Sequence, residues 1–483
     1  MAIKTAQQYL ESLKKLSPRV YLGGKRVNSI LDNPTTKSII DGTARSFEMA
    51  SDPRYEHILT ARSHLTSEAI NRATHINRSV ADLEKRIEMA VLMSQELGTC
   101  YYRCGASNAL THLASVTWEM DQKLGTDYNN RFNEYLRYVQ DNDLVLSIGV
   151  NDPKGNRTKR AKEQDPDMAL RLVEKRDGGI VVRGAKLHQT GAVAAHEHII
   201  VVGSSYQKGE EDYALAFAVP NGEKGITYIC QYNPYTVERE FEDDIYQIGN
   251  PRYGQRETAM VIFDDVFIPW ERVFMCGEVE FTRKLQEASG RLHSTCEAAC
   301  KAGWLDLMIG ATQLSAEYSG LENIPHIQVD IANIIKVREI CYALSVAAVA
   351  RAKELPIGSG AYLPDITFAR AAMIYSSYGF WEAIEKATDV SGGLVITMPS
   401  EKELQNPETR GYIEKYLKAA GPAEKRLRIT RFLQNWVCGL HGAATWQGGG
   451  PPHGFLMALY NSADLEHKKG LAEHLAGMNR TPL

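Results

Sequence analysis

"LVLSIGVNDPKG", residues 144–155, is where the chain changes texture. Upstream, "INRSVADLEKRIEMAVLMSQEL" (76–97) carries apolar residues at spacings of three and four, the period of an amphipathic helix. Downstream the runs are short and β-branched: "GGIVVRGAKL" (178–187), "HEHIIVVGSS" (196–205), "YALAFAVP" (213–220) and "TAMVIFDDVFIPW" (258–270). Gly, Asp and Pro turns separate them, as between strands. After residue 279 helical periodicity returns, over 280–320, 326–354, 365–389, 408–445 and 453–477. The order predicts an α+β fold with segregated layers. It divides into an N-terminal helical domain (1–143), a middle β domain (144–278) and a C-terminal helical bundle (279–483). Helices such as "GFWEAIEKATDV" (379–390) have two apolar sides, which points to packing between subunits.

Composition narrows the function. The 483 residues are 44% hydrophobic with a net charge of −4 and no long block of one sign. Neither a nucleic-acid partner nor a membrane-surface partner fits that balance. No apolar run reaches the roughly 18–20 residues a bilayer span needs. The opening "MAIKTAQQYLESLKKLSP" reads as an amphipathic helix lacking the apolar core of a signal peptide. A cytoplasmic, reducing setting follows, where eight cysteines are thiols or metal ligands rather than disulfides.

Five of the candidate ligands fall in two short stretches. "GTCYYRCGASNAL" (98–110) spaces Cys100 and Cys104 four apart, and "RLHSTCEAACKAG" (291–303) holds His293, Cys296 and Cys300. Residues four apart on a helix share a face about 6 Å apart along the axis, and residues seven apart return to it after about 10.5 Å. One such pair alone would be ordinary buried cysteine. Two pairs, one with a histidine beside it, point to a single centre. The four donors are then Cys100, Cys104, Cys296 and Cys300, or Cys100, Cys104, His293 and Cys300, and spacing slightly favours the all-cysteine set. Paired helices suit an iron–sulfur cluster better than zinc.

Other residues stand out more weakly. "LHQTGAV" (187–193) ends a β run with His188, Gln189 and Thr190, where Gly191 permits close backbone approach. His196 and His198 alternate in "AHEHII"; zinc is conceivable there, but surface histidines on a strand edge are the better reading. Gly392 and Gly393 follow "KATDV" and fit a helix stop. "NDPKGNRTK" (151–159) reads as a turn whose Arg157 and Lys159 either face solvent or hold phosphate. Glu257 opens an apolar strand, and Lys301 adjoins Cys300.

Along nearly the whole chain the sequence resembles the 4-hydroxyphenylacetate 3-hydroxylase family of flavoproteins. The resemblance rests on "DPKGNRTK" (152–159), "VRGAKLHQTGAVAAHEHII" (182–200), "ETAMVIFDDVFIPWERVF" (257–274), "SGGLVITMPS" (391–400) and "QGGGPPHG" (447–454). It implies an acyl-CoA dehydrogenase-like architecture with FAD between the β domain and the bundle. "CYYRC" and the His293–Cys300–Lys301 spacing resemble the 4-hydroxybutyryl-CoA dehydratase branch. That branch implies FAD and a [4Fe–4S] cluster on Cys100, Cys104, His293 and Cys300, in a homotetramer or a homodimer. The implied reaction is dehydration of a 4-hydroxyacyl-CoA by a flavin radical route, with vinylacetyl-CoA Δ-isomerase activity alongside it. His293 would be weak ligand and base, Glu257 its assistant, and Lys301 a positive charge by the cluster or thioester. His188, Gln189 and Thr190 would line the flavin, with Gly392, Gly393, Arg157 and Lys159 completing the cofactor contacts. Two departures matter: Glu297 stands where the branch carries a tyrosine, and "HGAATWQGGGPP" (441–452) lacks the branch's glutamate. Glu297 therefore joins the catalytic candidates. A reduced-flavin phenol monooxygenase, a dehydratase relative with another substrate, an acyl-CoA dehydrogenase-like oxidase and an iron–sulfur carrier are the competing classes.

Overall fold

Alternation sets the central strand. In Thr258–Pro269, Ala259, Val261 and Phe263 are buried on one face, with Met260 and Ile262 only partly covered. The register then shifts between Phe263 and Val266, and Asp265 takes a positive φ of 51°. This bulge inserts residues without turning the strand over, so Val266 and Ile268 rejoin the buried face. The fold is taken from a computed structural model, which describes residues 3–231, 249–250, 252–254, 256–447, 450 and 452–478, save the side chains of residues 440 and 447.

That strand lies in a six-stranded sheet ordered Lys25–Arg26, Arg19–Leu22, Ile226–Cys230, Thr258–Pro269, Gly179–Thr190 and Arg171–Arg176. Two of its strands come from the N-terminal part of the chain, just after the helix Ala6–Leu13, with Arg19–Leu22 parallel to Ile226–Cys230. A second sheet orders Val273–Cys276, Leu215–Pro220, Glu197–Ile200 and Leu146–Gly149. The strands form where the alternation placed them, and the layout is the α+β arrangement of helices, β layer and helices expected from the sequence.

Correction is needed at the histidine pair. Glu197–Ile200 is an inner strand between Leu146–Gly149 and Leu215–Pro220, not an edge. His198 is fully buried, with Nδ1 2.6 Å from Ser147 Oγ and Nε2 2.6 Å from Tyr228 Oη. His196 Nδ1 accepts the Val145 N–H at 2.8 Å, and its Nε2 meets Ser12 Oγ at 2.7 Å. All four ring nitrogens are spoken for, so the pair is core structure and no zinc site.

Among the helices, five frame the site: Val80–Leu97, Cys104–Leu124, Val279–Ser319, Pro325–Ala350 and Ile366–Ser391. Ser79 caps the first through the Asp82 N–H, and Gly98 ends it at a left-handed φ of 60°. The stretch predicted as one helix over 408–445 is three, Arg410–Tyr416, Ala423–Val437 and Leu440–Gln447. Pro422 and Gly439 lie at the breaks. Likewise 453–477 divides into Pro452–Ser462 and Leu465–Leu475. Most of the "GGGP" turn lies outside the described residues. The Val279–Ser319 helix packs on the other four and on Ala423–Val437, which makes it the axis of the site. Gly303 lets it approach Val80–Leu97, because a Cβ there would stand 2.6 Å from the Val91 carbonyl oxygen.

Candidate active site

Cys104 is the first residue of its helix, but Cys100 is not helical, contrary to the spacing argument. Gly98 stops the preceding helix, and the loop from Gly98 to Arg103 carries Cys100. The bundle holds that loop from two sides. Trp304 Nε1 donates to the Thr99 carbonyl at 3.0 Å, and Thr99 Oγ1 lies 2.8 Å from His441 Nε2. Trp304 is one turn past Cys300, so the contact that fixes Thr99 also brings Cys100 to Cys300.

The thiols meet. Cys104 is within hydrogen-bonding reach of both Cys100 and Cys300. Cys100 is held well above the usual thiol range, first by its bond to Cys104 and then by burial. For Cys104 the bond from Cys100 favours the thiolate, but the bond to Cys300 and burial outweigh it and push the thiol up. The Arg256 charge favours the Cys100 thiolate, but it is outweighed by the neighbouring thiol and by burial. Cys296 sits beside them and turns into the protein, its Sγ 3.6 Å from Asn108 Oδ1. Arg86 Nη2 bonds the same Oδ1 at 3.2 Å and the Cys104 carbonyl at 3.1 Å. Among the described residues no three His, Cys, Asp or Glu side chains surround a position for a single metal ion.

His293, two turns before Cys300, feels the Cys100 thiol. Its Nε2 lies 3.1 Å from Glu297 Oε2, and Glu297 Oε1 lies 2.9 Å from Lys301 Nζ. Lys301 is fully buried, not an exposed helix lysine. Burial opposes charge on Glu297, but Lys301 and His293 overcome it and hold the carboxyl at about 2. Burial also opposes charge on His293, and Glu297 more than offsets it, so the ring is raised. The His293 side chain is 38% accessible, yet loss of solvent is the largest influence on it.

Sheet register brings in the remaining acid. Thr258 pairs with Thr190 and Ala259 with Gln189, which sets Glu257 against the turn at Gly191. Gly191 has φ 69°, and a Cβ on it would meet Tyr102 Cβ at 2.9 Å, so the turn packs on the cysteine loop. Glu257 is fully buried rather than solvated, and burial raises its carboxyl to about 8. Its Oε1 accepts from Cys230 Sγ at 3.7 Å, and the Gly191, Ala192 and Val193 N–H groups lean the other way, toward ionisation. Oε2 has no well-formed hydrogen bond among the described residues.

The predicted cofactor residues scatter. Thr190 is half-buried, with Oγ1 3.3 Å from Thr258 Oγ1. Gln189 points into the β domain, its Nε2 bonded to Ser147 Oγ at 2.7 Å. His188 is exposed at φ 59°. Gly392 and Gly393 end the Ile366–Ser391 helix at the surface, where a Cβ would meet nothing within 4 Å. Arg157 and Lys159 line a cavity of about 400 Å³ with Lys154, Arg160 and Tyr206. Ser205, on the same wall, bonds Gln286 at 2.7 Å. Gln286 is two turns, about 10.5 Å, ahead of His293 on one helix.

Sequence reasoning missed Tyr102, Cys230, Arg256 and His441. Arg256 places its charge by Cys100, Tyr102 and His441. Burial, with that charge, takes His441 down to about 3. "HGAATWQ" was informative for its histidine, not for the acid it lacks.

Comparison with known proteins agrees with this geometry. The family models described as 4-hydroxyphenylacetate 3-hydroxylase N terminal and C terminal match residues 5–275 and 282–477. The chain is 35% identical to the 4-hydroxybutyryl-CoA dehydratase/vinylacetyl-CoA-Δ-isomerase of Clostridium aminobutyricum, over 99% of this chain and 100% of that one. It is similar to the solved structure of an oxygen-tolerant archaeal 4-hydroxybutyryl-CoA dehydratase from N. maritimus. There the TM-score is 0.95 at 34% identity, covering 99% and 96% of the two chains. The oxygenase component of a 4-hydroxyphenylacetate 3-monooxygenase, solved with FAD, gives a TM-score of 0.87 at 26% identity, covering 98% of each. The chain belongs to the 4-hydroxyphenylacetate 3-hydroxylase family, and within it resembles the 4-hydroxybutyryl-CoA dehydratases in both sequence and structure.

Proposed function

We propose that the protein dehydrates a 4-hydroxyacyl-CoA, of the 4-hydroxybutyryl-CoA to crotonyl-CoA type, with Δ-isomerase activity, using FAD and a [4Fe–4S] cluster. The observation that carries this reading is the meeting of the Cys100, Cys104 and Cys300 thiols beside His293. Three soft sulfur donors and one imidazole are a donor set for an iron–sulfur cluster, in which each ligand takes its own iron. A phenol monooxygenase has no use for them. The eight free thiols support a reducing, cytoplasmic setting.

When bound, the flavin would supply one-electron chemistry at the acyl chain, and the cluster iron a Lewis acid for the departing hydroxyl. The chain's own residues do the rest. Glu257, neutral near pH 7 with a carboxyl at about 8, can give or take a proton in a dry site. His293, with an accessible side chain, is the second proton carrier. Lys301, one residue from Cys300, pairs with Glu297 at 2.9 Å and would place its side chain by the cluster or the thioester. Thr190, at the end of its strand, would hydrogen-bond the flavin, with exposed His188 lining it and Gln189, turned into the β domain, steadying the strand end behind it. The cavity around Arg157 and Lys159 takes the phosphates of flavin or CoA, two helical turns from His293 being within reach of an extended ligand. Gly392 and Gly393, open at the surface, would meet a flavin only with a second copy of the chain. Val329, Tyr378 and Trp381 expose 60%, 48% and 43% of their surface on the outer helices, which supports a homodimer or homotetramer.

Anaerobic purification tests the reading. Brown protein with about four irons per chain, bound FAD and turnover of 4-hydroxybutyryl-CoA are expected. Cys296→Ser should keep the full cluster, whereas His293→Ala should weaken it and abolish turnover. Yellow protein without iron, or a cluster lost only in the serine variant, would overturn the assignment.

A further inference from the structure

Glu297 has no task in the chemistry above. One turn beyond His293 and one turn before Lys301, it shares a helix face with both. Oε1 lies 2.9 Å from Lys301 Nζ, and Oε2 lies 3.1 Å from His293 Nε2. The Lys301 ammonium also meets the Ser376 and Ser377 hydroxyls at 3.3 and 3.2 Å, so a second helix anchors the far end of the ladder. Only 11% of the Glu297 side chain is accessible. Its Oε2 has no hydrogen bond of good geometry among the described residues. The imidazole is what that oxygen faces.

One nitrogen cannot serve two partners. Pairing with a carboxylate needs an N–H on Nε2, whereas ligating a metal needs the Nε2 lone pair. We propose that Glu297 competes with the cluster iron for His293 Nε2, so that the fourth ligand can leave and be held off the metal by a preformed partner. The inference rests on the cluster reading and names the residue that makes the histidine releasable. Lys301 makes the arrangement tenable, because it compensates Glu297 while the ring is on iron and so avoids an unpaired buried carboxylate. The exchange moves no electron. The nitrogen–iron bond would break as an oxygen–iron bond to the displacing hydroxyl or water forms; the proton that oxygen loses would go to His293 Nε2, and the new N–H would donate to Glu297 Oε2.

The test uses anaerobically purified holoenzyme of the wild type, Glu297→Gln and Glu297→Asp. Loss of one iron to a chelator under mild oxidation is followed by the electron paramagnetic resonance of the resulting three-iron cluster. Hyperfine coupling from histidine labelled with 15N at Nε2 is read on the reduced cluster. Glutamine removes the charge and should slow iron loss by roughly tenfold, the scale of a charge-assisted hydrogen bond. Aspartate keeps the charge but draws it back by a methylene, so contact predicts that it behaves as glutamine does. Equal or faster loss in Glu297→Gln overturns the proposal. So does Glu297→Asp matching the wild type, which would mean a field effect without contact. Coupling from Nδ1 in place of Nε2 overturns it too, since Glu297 would then steady the ligand. A wild type without iron removes the cluster reading and this inference together; a wild type with iron and unchanged variant rates removes this inference alone.

Discussion

Glu257 and Glu297 are the same residue driven to opposite states by their surroundings. Glu257 is buried, with no cation bonded to it among the described residues, and rises from 4.5 to about 8; Glu297, between Lys301 and His293, falls to about 2. Linkage turns the first value into a stability slope. Between pH 4.5 and 8 the folded chain keeps a proton on Glu257 that the unfolded chain has released. Raising the pH through that window therefore destabilises the fold, by up to about 1.4 kcal/mol per unit. Glu257→Gln, neutral at every pH, should flatten that part of the profile. Chemical denaturation of both proteins at pH 6 and pH 8 measures it. A variant that loses as much stability as the wild type would show Glu257 to be ionised already at pH 6. The residue's place at the head of a strand was legible in the sequence. Its protonation state was not, because it depends on Gly191 and Tyr102, which arrive from elsewhere in the chain.

At the scale of elements, the Val279–Ser319 helix was legible almost to its ends, because periodicity and the closing Gly320 are local signals. The helical reading of Cys100 failed for a reason equally local. Gly98 takes a left-handed cap, which ends one helix before the next begins at Cys104. What spacing had placed on one helix face is instead assembled by Trp304 and His441 gripping Thr99. Three glycines inside the long helix look alike in sequence and differ in space. A Cβ at Gly303 would meet the Val91 carbonyl oxygen at 2.6 Å, while Gly290 and Gly310 have nothing within 4 Å. Gly303→Ala should therefore cost about 1–3 kcal/mol as the two helices are forced apart. It should also lower retained iron, since Cys300 lies one turn away. Gly290→Ala and Gly310→Ala should each stabilise by about 0.5–1 kcal/mol through helix propensity. Denaturation midpoints and iron content of the three variants settle the contrast; equal effects would show that the helix approach is not limiting.

Across the whole molecule, the thiol site lies where separate cores touch. Cys100 packs against the large cluster built from the N-terminal helices and the β domain, and also against the bundle cluster of Trp304, Phe380 and Trp436. Segregation of the layers could be read from changes in periodicity. Their docking could not, since it depends on side chains such as Trp304 and Arg86 whose partners are distant in sequence. This placement gives the proposed cluster a mechanical role. Its ligands come from the 98–104 stretch and from the Val279–Ser319 helix, so bound metal would tie two cores, and its binding free energy would add to their stability. A chain of this size need not unfold in one step, so the observable is the apparent midpoint of thermal unfolding under anaerobic conditions. Removing iron with a chelator should lower the wild-type midpoint by several degrees, at about 2–4 °C per kcal/mol for domains of this class. Cys104→Ala should start from the lowered midpoint and not respond to chelator, and Cys296→Ser should respond as the wild type does. If the wild type gives up its iron with no change in midpoint, the metal does not tie the cores, and their docking rests on protein contacts such as those of Trp304, His441 and Arg86.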